Sequence, residues 1–177
     1  EALKWSGVSL RMGEHAAQDP IIIGQLVGIA IQAIACASVE ETLTQGAPSA
    51  DAAREMIEYL RSVEMRAPFR AAMLAERASG VDSFEMVRRE SVREVLAIWG
   101  GSGSSGPGPM DLLGLIYGTP LGRPLLNNDQ LIYLHLMREQ IDLLDAPAQK
   151  RRQYAEKLSA NIPVTAVLTR ILIPVFA

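Results

Sequence analysis

"DPIIIGQLVGIAIQAIACASVEE", residues 19–41, is the stretch on which the fold turns. The twenty residues between Asp19 and Glu40 carry no charge. That is about the length a helix needs to cross a bilayer. It is equally the signature of a helix that is apolar all round because others wrap it. Three features favour the second reading. Gln25 and Gln32 lie seven apart on one helical face, and amides in lipid need partners. Neither end carries the Lys or Arg that usually flanks a span. The neighbouring segments are amphipathic and offer apolar surface to cover a central helix. Gly24 and Gly28 form the G-x-x-x-G spacing known from membrane dimers, but that spacing also lets any helix approach closely. The expectation is a central core helix, Ile21–Val39, with no membrane insertion.

Outward from this stretch, helix formers dominate and no period-two run of β-branched residues occurs. Asp19 and Pro20 read as the start of the apolar helix, and "QGAPSAD" after Gln45 as its end. Ser49 then caps a helix to Met65, with Asp51 and Glu55 near its positive end. Pro68 opens another, ended by Gly80, and "DSFE" (82–85) starts the next, to Trp99. "MDLLGLIYG" (110–118) gives a short helix. A strong one follows over 128–144, capped by Asn127 or Asn128, with Gln130 completing a capping box if Asn127 leads. Pro147 opens a helix to Ala160, and Pro163 the last, 164–176. The sequence thus predicts an all-α fold of about nine helices in antiparallel layers around the central one. "GGSGSSGPGP" (100–109) has nothing apolar to bury and reads as a flexible loop between an N-terminal half, 1–99, and a C-terminal half, 110–177.

Composition narrows the function classes. A net charge of -3 and a pI near 5.5 argue against a nucleic-acid partner, which needs a basic stripe. Cys36 is the single cysteine, so no internal disulfide forms, and its apolar neighbours suggest a small buried hydrophobe. The glycine loop lacks the lysine and preceding strand of a phosphate-binding loop. His135 and Glu139, four apart on a helix, suit a surface ion pair better than a metal site. No cofactor and no metal are expected. Trp5, Trp99, Tyr117 and Tyr133 have apolar neighbours and read as core or groove lining.

Two features remain as candidate sites. Glu76, between apolar turns, is the weak catalytic candidate: a buried glutamate in an all-helical domain can act as a general acid. "MDLLGLIYGTPLGRPLL" (110–126) is too broken for a core helix and too apolar for a solvated loop. Its Leu115, Ile116, Tyr117 and Leu121 are the expected partner-binding residues, lining a groove.

Four segments, "IIIGQLVGIAIQAIA" (21–35), "MLAERASGVDSFEMV" (73–87), "RPLLNNDQLIYLHLM" (123–137) and "VLTRILIPVFA" (167–177), occur in an order that resembles a family of uncharacterised bacterial envelope proteins. The resemblance implies a helical extracytoplasmic domain, tethered by an N-terminal anchor not included in this chain, with no assigned activity. A cytoplasmic location is the alternative. Together these readings predict a non-enzymatic interaction module of the envelope with a protein or peptide partner. A muramidase-like glycan hydrolase using Glu76 is the competing expectation.

Overall fold

The computed structural model describes residues 2–89, 117, 119–120, 122–163 and 165–173. Among them every regular element is a helix. There are seven: α1 (Ala2–Ala16), α2 (Ile22–Gln45), α3 (Ala50–Ser62), α4 (Arg66–Arg89), α5 (Gly122–Leu143), α6 (Ala148–Asn161) and α7 (Val167–Leu172). The chain divides into two compact units, Glu1–Glu76 and Arg77–Ala177, and α4 runs from the first into the second.

The all-α expectation holds among the described residues, where seven helices stand beside the about nine expected for the whole chain. Pro68 sits in the first turn of α4, where its missing N–H costs nothing, and Gly80 lies inside that helix rather than ending it. Two expected helices are therefore one. A Cβ added at Gly80 would stand 2.0 Å from the Tyr133 hydroxyl oxygen. This glycine serves close approach of α4 and α5, not chain reversal. The expected helix at 110–118 lies outside the described residues apart from Tyr117, as does the loop at 100–109.

In the first unit α1 packs antiparallel on α2. Ser6 and Ser38 hydroxyls meet at 3.1 Å near one end, and Gly13 meets Gly28 near the other. A Cβ at Gly28 would be 2.7 Å from the Gly13 carbonyl oxygen, and one at Gly24 would be 3.1 Å from that of Ala16. Both glycines of the G-x-x-x-G spacing thus face α1. Gln25 donates its amide to the Ala17 carbonyl and ties the short connection back onto the helix. Leu3 and Leu10 of α1, Ala35 and Val39 of α2, and Met56 of α3 form the core of this unit.

α2 is not wrapped all round, which corrects the central-helix expectation. Its buried residues are Ile22, Gln25, Gly28, Gln32, Ala35 and Val39, all on the face toward α1. Ile23 and Ile34 on the other side are 69% and 71% exposed. By length and composition this helix could cross a membrane, and only 33% of its most apolar window is buried. Cys36 is exposed too, against expectation. The reason is that the α1 contact is built from glycines and amides, which need close packing and partners, while the bulky aliphatics are left outward.

In the second unit α5 begins at Gly122, six residues before the expected start. The Gly122 N–H reaches Thr119 Oγ1 at 3.1 Å, so Thr119 takes the capping role. Asn127 and Gln130 are then interior, and their side-chain oxygens accept from Arg88 of α4, Asn127 at 2.9 Å. Phe84 of α4 packs on Tyr133, ring centroids 5.7 Å apart.

Candidate functional site

α3 is held to the first unit by a thin strip, Ala52, Met56 and Tyr59, spaced four and three along one helical face. Ser49 caps it by accepting from the Ala52 N–H, and Asp51 and Arg61 sit at the ends where the helix dipole favours them. α1 and α3 both line the space beside this strip. Between them lies an open groove of about 670 Å³. Its apolar floor is Leu3, Gly7, Val8 and Met56, and its rims carry Lys4 and Arg11 from α1 against Asp51 and Glu55 from α3.

Two aromatic residues mark the groove. Trp5 stands on the α1 side, 68% exposed. Tyr59 lies on the α3 side with the Arg11 guanidinium 5.9 Å from its ring centroid. The Tyr59 hydroxyl is shielded from solvent, with the Glu14 carboxylate beside it. Burial first, and then the nearby Glu14 carboxylate, push its pKa up to about 12, while Arg11 pulls the other way. An exposed indole over an apolar floor, with charges of both signs around it, can receive an apolar or aromatic side chain from another chain.

The residues singled out from the sequence fall elsewhere. Glu76, on α4, is half-buried; burial raises its carboxyl pKa, and it is engaged by a partner of its own. Tyr117 is 4% exposed and spends its hydroxyl inside the second unit, which does not suit an anchor on an open groove. Leu115, Ile116 and Leu121 lie outside the described residues. His135 and Glu139 form a surface pair at 3.2 Å, and Tyr154 of α6 donates to the same carboxylate at 3.0 Å. No cluster of three or more His, Cys, Asp or Glu suited to a metal occurs among the described residues.

The structure also reveals a constellation that the sequence did not. Asp129 of α5 is completely buried. Its carboxylate accepts from the N–H groups of Leu168 at 2.9 Å and Thr169 at 3.1 Å, and from the Thr169 and Tyr117 hydroxyls, the latter at 3.1 Å. Asp129 thereby satisfies the free amides at the start of α7 as a cap delivered from another helix. Its signal was its place in the stripe Leu126, Asp129, Tyr133, Leu136, Gln140, at the three- and four-residue spacing of a buried face.

The environment of the tyrosines makes a prediction. Burial first, then the Asp129 carboxylate, push the Tyr117 pKa up to about 12; burial and Glu139 raise Tyr154 as well. A proton held more tightly in the folded chain contributes stability that is fully present below the unfolded pKa of 10.0 and lost as pH rises toward about 12. Tyrosinate absorbance is therefore expected to lag behind free tyrosine and to rise together with the loss of helical circular dichroism. Titration of Tyr59, Tyr117 and Tyr154 near 10.0 with the helices intact would contradict these environments.

No family model, curated protein or solved structure matches this chain.

Proposed function

We propose that this chain is a non-enzymatic helical interaction module that receives an apolar or aromatic segment of a protein or peptide partner in the α1–α3 groove. The observation that carries this reading is Trp5, held open to solvent at the rim of an apolar, aromatic-lined groove. Tryptophan, tyrosine and arginine are the side chains that dominate binding energy at protein interfaces. Lys4 and Arg11 facing Asp51 and Glu55 favour a partner segment with charges of both signs flanking its anchor. Placement in the bacterial envelope, tethered and extracytoplasmic, is supported by the resemblance of the four segments.

A second reading, a cell-wall glycan hydrolase with Glu76 as general acid, has one observation in its favour, the carboxyl pKa raised by burial. One set of proteins separates the two. Peptides selected by phage display on the wild-type chain are expected to bind Trp5→Ala at least ~10-fold more weakly, a loss of about 1.4 kcal/mol. Glu76→Gln should bind them as the wild type does. Equal binding by a folded Trp5→Ala removes the groove. Clearing of cell-wall suspensions by the wild type but not by Glu76→Gln would put the hydrolase in its place.

A further inference from the structure

We draw no further inference here: the strongest candidate, the apolar surface patch along Ile23, Val27 and Ile34 on the side of α2 turned away from α1, carries nothing because nothing in the structure shows what covers it.

Discussion

Asp129→Ala is expected to lose about 3–5 kcal/mol of stability in urea unfolding, the upper end of what single substitutions do. The carboxylate is completely buried, and four donors converge on it. Alanine removes the acceptor but leaves the donors where they are. An orphaned buried donor costs roughly 1–3 kcal/mol, and the Leu168 and Thr169 amides have no water to turn to without opening α7. Asp129→Asn should fall between, because one side-chain oxygen survives while the other becomes an amide nitrogen facing an N–H. Tyr117→Phe deletes a single donor and should cost only about 1 kcal/mol. If Asp129→Ala cost no more than Tyr117→Phe, the carboxylate would not be the hub of this unit.

The second large effect is expected at Gly80. An exposed glycine inside a helix normally gains up to about 1 kcal/mol when changed to alanine. Here the added carbon would stand 2.0 Å from the Tyr133 hydroxyl oxygen and 2.2 Å from the ring carbon that bears it. Tyr133 is itself fully buried against Phe84, so it has nowhere to swing. α4 and α5 must separate, and overpacking of that kind costs ~1–3 kcal/mol. The helical gain is outweighed, and a net loss of about 2 kcal/mol is expected for Gly80→Ala. Gly46→Ala is the control. It meets nothing within 4 Å, its φ of 178° is extended backbone open to any residue, and it should be neutral. A stabilised Gly80→Ala would mean that the two helices are not in contact there.

Helical class, the Ser49 cap and the Pro147 start are legible in the sequence because each depends on neighbours within one turn. What escapes is what depends on the other side of a contact. Gly80 looks like a terminator until Tyr133 is placed against it. "NNDQ" looks like the start of a helix until Arg88 supplies partners for Asn127 and Gln130 from forty residues away. α2 was misjudged for a related reason. Its apolar residues are distributed all round, so composition gives no sign of which face the protein itself covers. The two glycines and two glutamines that do face α1 are the residues a hydropathy argument counts as weak. The α1–α3 groove was legible only in that Trp5 was read as core or groove lining; the narrowness of the α3 contact strip shows only in three dimensions.

The Asp129 contact also constrains the order in which the second unit assembles. α7 has six residues, far short of the ~12–15 at which an isolated helix becomes even marginal in water. It can hold its shape only when its first amides find Asp129, 39 and 40 positions earlier in the chain. Closing so long a stretch must precede any reward from the bonds it makes. α5, whose hydrogen bonds are local, therefore forms first and presents the acceptor. The last short helix docks onto it as the closing step of folding, and is the first element released when the unit begins to open.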